Sequence, residues 1–316
     1  MAVETTIFSN NSVDTWFRDI MSDCVLCPRA CHVNRLAGQT GYCGQTAELM
    51  AARASLHYWE EPCISGTSGS GTVFFSGCNL RCVFCQNHNI ALGKAGRVIA
   101  PEHLAEIFLQ LQEQGANNIN LVTPTHFLPQ IVIALEQAKQ QGLHLPIVYN
   151  TGSYESPKAL HYLEGLVDIY LPDLKYFSPE LSTAYSHAPD YFETACAAIS
   201  EMYRQVGDPV IDEDTGLMQH GMIVRHLLLP GQTKDSKKIL RYLHETYGDH
   251  IYISIMNQYT PLPQVADIEA LNRTVTPEEY DRVLRFAERI GIERGFRQEG
   301  TAASESYIPE FDERGL

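Results

Sequence analysis

The chain has 316 residues, 44% of them hydrophobic, which is enough for one large globular domain or two ordinary ones. Its formal net charge of −15 argues against nucleic acid and anionic membranes as partners, because both bind basic surfaces. No apolar run is long enough to span a membrane, and residues 1–19 lack the basic start and apolar stretch of a secretory signal. The nine cysteines are therefore expected in a reducing cytoplasm, where they bind metal rather than form disulfides.

The first cysteine group comprises Cys24, Cys27, Cys31 and Cys43. Four soft ligands in a short glycine-containing loop predict a metal site, because such a loop cannot easily bury its own backbone without one. A structural zinc ion and a [4Fe–4S] cluster would both use four thiolates, and the sequence leaves the two open. His32 is expected to be a bystander, since four cysteines suffice. We assign this group to an N-terminal Cys-rich segment, residues 1–63, that precedes a second region at 64–316.

The second cysteine group has the spacing C-x3-C-x2-C and comprises Cys78, Cys82 and Cys85. A β-branched and aromatic run at 72–76, bounded by glycines, precedes it and predicts a strand. Three thiolates suit three irons of a [4Fe–4S] cube and leave the fourth iron open, so that it can bind and reduce another molecule. The loop leaves the carboxyl end of its strand, which is where α/β barrels and sheets place their sites.

Beyond this loop, strand-like apolar runs alternate with segments of helical periodicity. Strands are predicted at 72–76, 118–122, 146–149, 168–171, 222–229 and 251–255. Helices are predicted near 101–114, 126–141, 156–163, 178–206, 234–246 and 277–289. Such alternation indicates an α/β fold with a parallel sheet and helical crossovers. Six units are fewer than the eight of a closed barrel.

Polar residues lie within or just after the predicted strands, at the edge of the sheet that carries the second cysteine group. They are Thr123, Thr125, Asn150, Thr151, Asp173, Lys175, Arg225 and Gln258. Asp173 and Lys175 would contribute little as an ordinary surface ion pair. Arg225 alternates with Val224, so one face of that strand is polar, and a polar inward face on a barrel strand indicates a site. His126 either faces a substrate or caps the helix that follows it.

The stretch from Gly77 to Asn87 resembles the signature of the radical S-adenosylmethionine (SAM) enzymes. In that superfamily the open iron chelates SAM, and an electron passed into the sulfonium releases a 5′-deoxyadenosyl radical that abstracts hydrogen. The resemblance implies a partial (β/α)6 radical SAM barrel, open on one side, with an N-terminal Cys-rich metal-binding segment. It also implies that Phe84 lies near the adenine and that a flavodoxin- or ferredoxin-type protein supplies electrons.

Two further segments resemble the pyruvate formate-lyase activating enzyme group. Asp173-Leu174-Lys175 resembles its Asp-Leu-Lys motif, and the strand that carries Arg225 ends in Pro230-Gly231, as that group's Arg-containing strand does. The resemblance implies that Asp173 fixes the SAM end of the site and that Lys175 lies beside it. The whole chain is closer still to a branch of this group that has an N-terminal Cys-x2-Cys-Pro-Arg-x-Cys segment.

The chain departs from most radical SAM proteins at the turn after the second strand. That turn usually reads Gly-Gly-Glu-Pro and binds the SAM amino group, whereas here it reads Val-Thr-Pro-Thr. Thr123, Thr125 and backbone groups can supply hydrogen bonds there, but amine recognition must use backbone carbonyls or another side chain. Asn150 and Thr151 are expected at the ribose or carboxylate of SAM, and Gln258 at the adenine or the substrate.

Three functions remain open at this stage. A radical SAM enzyme could abstract hydrogen from a protein backbone, as glycyl-radical activators do, because an open barrel admits a loop of a partner. It could instead act on a small molecule, with the N-terminal segment closing the open side. A non-catalytic iron–sulfur electron carrier is the third, but a carrier has no use for a SAM pocket.

Overall fold

Ten strands form one continuous sheet in the computed structural model, which describes residues 10–298 and 310–316. In chain order they are β1 Met50–His57, β2 Ser70–Phe75, β3 Arg97–Val98, β4 Ile119–Val122, β5 Ile147–Thr151, β6 Ile169–Pro172, β7 Val210–Ile211, β8 Met218–Leu227, β9 Tyr252–Met256 and β10 Gly295–Arg297. The sheet order is β10-β9-β8-β6-β5-β4-β2-β1-β3, and β7 pairs with β8 beside this path. Within the described residues β3 and β10 do not pair, so the sheet stays open.

Ten α-helices of the described residues accompany the sheet. They are α1 Asn10–Ser22, α2 Pro62–Ser65, α3 His88–Ala91, α4 Pro101–Glu113, α5 Leu128–Gln140, α6 Pro157–Leu160, α7 Pro179–Ser186, α8 Tyr191–Val206, α9 Thr233–Tyr247 and α10 Pro277–Ile290. Several begin with proline in their first turn, where its missing N–H costs no hydrogen bond. The helix α10 also has a capping box formed by Thr276 and Glu279. None of the helices in the described part of the chain is long and apolar enough to cross a membrane.

The six predicted strands are confirmed as β2, β4, β5, β6, β8 and β9, and neighbouring members of this set are parallel. Strands β2, β4, β5 and β6 are buried along their whole length, as their apolar sequences require. The sheet also gains β10, parallel to β9, and β1, antiparallel to β2, which the sequence did not predict. The α/β fold class with an open, partial barrel is therefore confirmed.

The interior of the barrel is closed at the amino ends of its strands by α2. The side chain of Asn118, just before β4, donates a hydrogen bond to the carbonyl of Ile64 in α2, at 2.7 Å. Inside the sheet Cys63 and Ile64 join an apolar cluster that includes Val148 and Ile169. The site must therefore lie above this floor, toward the carboxyl ends of the strands.

The C-terminal residues 310–316 lie along the edge of β1 that β2 does not occupy. The backbone N–H of Ala54 donates to Arg314 O at 2.9 Å, and that of Glu313 donates to Ala52 O at 3.1 Å. Phe311 packs against the ring of Phe74 at a centroid distance of 5.4 Å. This segment therefore covers part of the open side of the barrel.

Gly221 in β8 is a position where the fold requires glycine. Its φ is +119°, and a Cβ there would lie 2.5 Å from the Cα of Pro209. We expect Gly221→Ala to lower the free energy of unfolding by about 3 kcal/mol, because backbone strain and a clash add. Gly142→Ala is the control, since Gly142 has a φ of +105° with no atom within 4 Å. It should cost about 1 kcal/mol, and equal losses in denaturant titrations would contradict the role of the Pro209 contact.

Candidate functional site

The loop of the second cysteine group leaves β2 through Gly77, whose φ of +93° turns the chain sharply. Two of its sulfur atoms accept hydrogen bonds, Cys78 Sγ from Leu80 N at 3.3 Å and Cys82 Sγ from Ser186 Oγ at 3.0 Å. Such donors stabilise negative charge on sulfur, as thiolate ligands of a metal need. Cys78, Cys82 and Cys85 are free cysteines and could hold a cluster together.

Burial raises the pKa of the Cys78 thiol and raises that of Cys85 to about 12, although the positive charge of Lys175 opposes both shifts. These two side chains are therefore protonated thiols at neutral pH when no metal is bound. A metal that binds them must displace their protons, so its affinity increases with pH.

Below the loop, Arg225 organises a buried polar cluster in the barrel interior. Its Nε donates to Asp173 Oδ1 at 2.9 Å, its Nη1 to Glu60 Oε2 at 3.1 Å and its Nη2 to Asn150 Oδ1 at 2.6 Å. Glu60 Oε1 also accepts from the side-chain amides of Asn120 and Asn150, at 3.3 and 3.2 Å. All three nitrogen groups of the guanidinium are thus engaged by side chains from different elements, as a buried cation requires.

The interior contains three carboxyl groups, of Glu60, Glu61 and Asp173, and two cations, Arg225 and Lys175. Burial raises the pKa of Glu60 and of Glu61 above the usual range. Burial would also raise the pKa of Asp173, but the charges of Arg225 and Lys175 outweigh it and lower that pKa. Asp173 is therefore the carboxylate of this cluster whose ionised form is stabilised most by the two cations.

Lys175 connects this cluster with the cysteine loop. Its Nζ is 2.5 Å from Asp173 Oδ2. A Cβ added at Gly152 would lie 3.5 Å from Lys175 Cε and 2.8 Å from Leu80 Cδ1, so these three residues meet at one point. The order from the end of β2 toward the barrel interior is thus the cysteine loop, Lys175 and Arg225. Because position 152 is glycine, Leu80 and Lys175 have room beside it.

Asn150 and Thr151, which were both expected at SAM, point to opposite faces of β5. Side chains alternate along a strand, and Asn150 bonds Arg225 inside the barrel. Thr151 points to the opposite face, where its hydroxyl donates to Glu155 Oε1. Thr125 donates to the same carboxylate oxygen. Thr125 and Thr151 therefore bind Glu155 in the outer layer, and neither is joined to the Arg225 cluster.

Glu155 is fully buried, and burial raises its pKa to about 7, although Thr125 and Thr151 donate hydrogen bonds that oppose the shift. Its Oε2 has no hydrogen-bond partner among the described residues. The turn after β4 lacks a carboxylate in sequence, and Glu155 supplies one next to that turn in space.

Of the remaining predicted residues, Phe84 lies within the cysteine loop, Gln258 contacts the loop, and Thr123 follows β4. Phe84 is buried and contacts the rings of Tyr176, Tyr185 and Tyr259 edge-on, with centroids 6.0–6.4 Å apart. Gln258 O accepts a hydrogen bond from Gln86 of the loop at 3.2 Å, while its side chain is held by Gln298. Thr123 has a φ of +56°, and its backbone N–H donates to Asn150 O at 2.9 Å.

The first cysteine group lines one cavity beside the barrel. The cavity is bounded by Cys24, Leu26, Cys27, Arg29, Cys31, Arg35, Gly41, Cys43 and His126. His32 points away and pairs with Asp23 at the surface, at 2.9 Å. The structure thus brings together all four cysteines of this group. His126 neither caps a helix with its side chain nor enters the barrel, because its Nε2 donates to Ser76 O at 2.6 Å.

Sequence reasoning missed three buried charged residues of these sites, Glu60, Glu155 and Arg35. Each lies in a loop or a short turn outside any periodic segment, so no local pattern marks it. For Glu60 and its neighbour Glu61, the one available signal is that two acids stand next to Pro62 at the start of a buried helix.

Replacement of Glu60 by glutamine tests the buried cluster. We expect Glu60→Gln to lower the free energy of unfolding by about 2 kcal/mol or more, because Arg225 loses a charged partner in a buried site. The matched control is Glu164→Gln, which breaks a pair with Arg204 at 2.9 Å on the surface. That change should cost less than about 1 kcal/mol. Similar losses for the two variants in denaturant titrations would show that the Glu60 contact is weak.

A family model described as the radical SAM superfamily matches residues 72–243, which is more than half of the chain. The uncharacterized protein MJ0674 of Methanocaldococcus jannaschii is 27% identical over 286 residues, which cover 87% of this chain and 77% of that protein. A domain of pyruvate-formate lyase-activating enzyme from Bacteroides vulgatus is 14% identical with a TM-score of 0.42, over 58% of this chain and 100% of that domain. Methylornithine synthase (PylB) is 14% identical with a TM-score of 0.48, over 75% of this chain and 74% of that one. By the family match, the chain belongs to the radical SAM superfamily, whose members are enzymes that use a [4Fe–4S] cluster and SAM.

Proposed function

We propose that this protein is a radical SAM enzyme in which Cys78, Cys82 and Cys85 hold a [4Fe–4S] cluster and SAM binds its open iron. The observation that carries the proposal is that these three cysteines follow the carboxyl end of β2, where Lys175 links their loop to the buried cluster of Arg225. When bound, the cluster supplies one electron to the SAM sulfonium, which yields methionine and a 5′-deoxyadenosyl radical.

The chain's own residues would bind and orient SAM and exclude water from it. We assign Lys175 and Asp173 to the SAM end of the site, because Lys175 is a cation that stands between the cysteine loop and the barrel interior. Arg225 holds Asp173 in place, and Phe84 and Gln258 border the loop where the adenine is expected.

Around the turn after β4, Thr123 offers backbone groups to the SAM amino group. Thr125 and Thr151 act as positioning residues through Glu155, since their hydroxyls are committed to that carboxylate. Asn150 would reach SAM from the barrel interior, where it already bonds Arg225.

For the substrate, we favour a glycine of a partner protein, as in the pyruvate formate-lyase activating enzyme group. The sheet is open between β3 and β10, and such an opening admits a loop of a second protein. A small molecule is the alternative, because residues 310–316 lie along β1 and narrow that opening. A pure electron carrier is disfavoured, since it has no use for a buried polar cluster beneath its cluster loop.

The remaining assignments concern the two regions of the chain and the electron donor. We propose that residues 1–63 form a Cys-rich segment with a second metal centre, a [4Fe–4S] cluster or zinc, whose strand β1 extends the sheet. Residues 64–316 form the rest of the barrel with a C-terminal extension. A flavodoxin- or ferredoxin-type protein in the reducing cytoplasm would donate the electrons.

Cleavage of SAM tests the first proposal. Reconstituted anaerobically and reduced with dithionite, the wild-type protein should form 5′-deoxyadenosine from SAM. Cys82→Ala should abolish product formation, because two thiolates cannot hold the cluster with one open iron. Cys196→Ala is the control, since Cys196 lies in α8, away from both cysteine groups. If the wild type binds iron but does not cleave SAM, the proposal that this protein is a radical SAM enzyme is wrong.

Isotope transfer identifies the substrate class. Cells grown on glycine deuterated at its α-carbon supply a macromolecular and a small-molecule fraction of their extract. If a protein glycine is the hydrogen donor, deuterium should enter 5′-deoxyadenosine from the macromolecular fraction, with a glycyl radical signal in electron paramagnetic resonance (EPR). Extracts labelled on alanine provide the control. Product formation that depends on the small-molecule fraction, without deuterium from the macromolecules, would favour the alternative.

A further inference from the structure

The cavity lined by Cys24, Cys27, Cys31 and Cys43 favours a negatively charged occupant. Arg35 borders it with only 1% of its surface exposed. Its guanidinium donates to two backbone carbonyls, of Thr46 at 2.6 and 3.1 Å and of His126 at 2.7 Å, and to no carboxylate among the described residues. The guanidinium also lies over the ring of Phe127, 5.8 Å from its centroid. A buried cation whose partners are neutral carbonyls and one ring is costly unless a negative group lies nearby. Four metal-bound thiolates would supply that charge.

The position of the four cysteines, next to the other cysteine group, favours a cluster over a single ion. All four line one cavity, and four thiolates suit either a structural zinc ion or a [4Fe–4S] cluster. Zinc has no redox chemistry, whereas a cluster can pass an electron to a second cluster nearby. The contacts between the two cysteine groups therefore decide between the two metals.

Tyr42 joins this cavity to the loop of the second cysteine group. Its backbone N–H donates to Cys31 Sγ at 3.3 Å, and its hydroxyl donates to Leu80 O at 3.4 Å. Leu80 in turn donates its backbone N–H to Cys78 Sγ. One tyrosine therefore spans the distance between a ligand of the first centre and the peptide that binds a ligand of the second.

Two more residues of the cavity make direct contacts on the catalytic side. Arg29 donates to Asn79 O at 2.8 Å and to Ser186 O at 3.0 Å, and Ser186 donates its hydroxyl to Cys82 Sγ. His126 lines the cavity and bonds Ser76, two residues before Cys78. The two centres thus share a hydrogen-bonded wall, which brings them close together, as electron transfer between them requires.

We infer that the four N-terminal cysteines hold a second [4Fe–4S] cluster that passes electrons to the cluster at Cys78, Cys82 and Cys85. The inference rests on the proposed function. A one-electron protein reductant of the flavodoxin or ferredoxin class reduces the second cluster, which returns to its oxidised state as it reduces the first. That electron enters the SAM sulfonium, the bond from sulfur to the 5′-carbon breaks, and one methionine and one 5′-deoxyadenosyl radical result per electron.

Metal content and EPR spectra test the identity of the second centre. The wild-type protein should bind about eight irons and no zinc, and Cys27→Ser and Cys43→Ser should each bind about four. SAM should change the EPR signal that remains in these variants, because it belongs to the cluster with the open iron. The signal that they lose should be insensitive to SAM, since four thiolates leave no open iron. About four irons with one zinc in the wild type would overturn the inference.

The relay is tested by comparing two reductants in the same preparations. Dithionite reaches the catalytic cluster directly, whereas the protein reductant depends on the second cluster. In Cys27→Ser the rate of SAM cleavage with reduced flavodoxin should fall by about tenfold or more relative to the rate with dithionite. Cys196→Ser should keep the wild-type ratio. An unchanged ratio in Cys27→Ser would overturn the relay.

Failure of the proposed function and failure of the second cluster would give different results. If the wild type binds about eight irons but never cleaves SAM with either reductant, the proposed function fails while the second cluster stands. If Cys82→Ala abolishes cleavage but the N-terminal cysteines hold zinc, the proposed function stands and the second cluster fails. Circular dichroism of each variant separates loss of metal from loss of fold, and Cys43→Ser repeats the test should Cys27→Ser not fold.

Discussion

A guanidinium held inside the barrel, that of Arg225, is the constraint on which the site depends. A cation at that depth must be met by several acceptors at once, and no single element of the fold carries them all. Asp173 comes from the end of β6, Asn150 from β5 and Glu60 from the segment that precedes the barrel strands. The hydrogen bonds to the guanidinium of Arg225 thus fix the relative positions of three elements.

The same constraint places Lys175 at the cysteine loop. Asp173 is shared by Arg225 on one oxygen and Lys175 on the other, so the two cations are held at opposite sides of one carboxylate. The lysine is then directed toward the loop, where its charge opposes the raised pKa of Cys78 and Cys85. The charged groups of Arg225, Asp173 and Lys175 therefore extend from the barrel interior to the cysteine loop, where a bound metal cluster would add further charge.

The fold could be predicted from sequence further than the site could. Short apolar runs predicted all six central strands, whereas β1 and β10 lie toward the edges of the sheet, where burial is partial and the pattern is weak. Asp173 and Arg225 could be expected together because both stand at strand ends. Strand alternation could have separated Thr151 from Asn150, but the arrival of Glu60 from a distant loop is decided by tertiary packing.

The C-terminal residues 310–316 have a consequence for the solution behaviour of the chain. An exposed edge strand offers unpaired N–H and C=O groups that recruit strands of other molecules. Here the outward-facing backbone groups of Ala52 and Ala54 in β1 form hydrogen bonds with Glu313 and Arg314 of the same chain. Residues 310–316 therefore prevent this edge of β1 from pairing with strands of other copies.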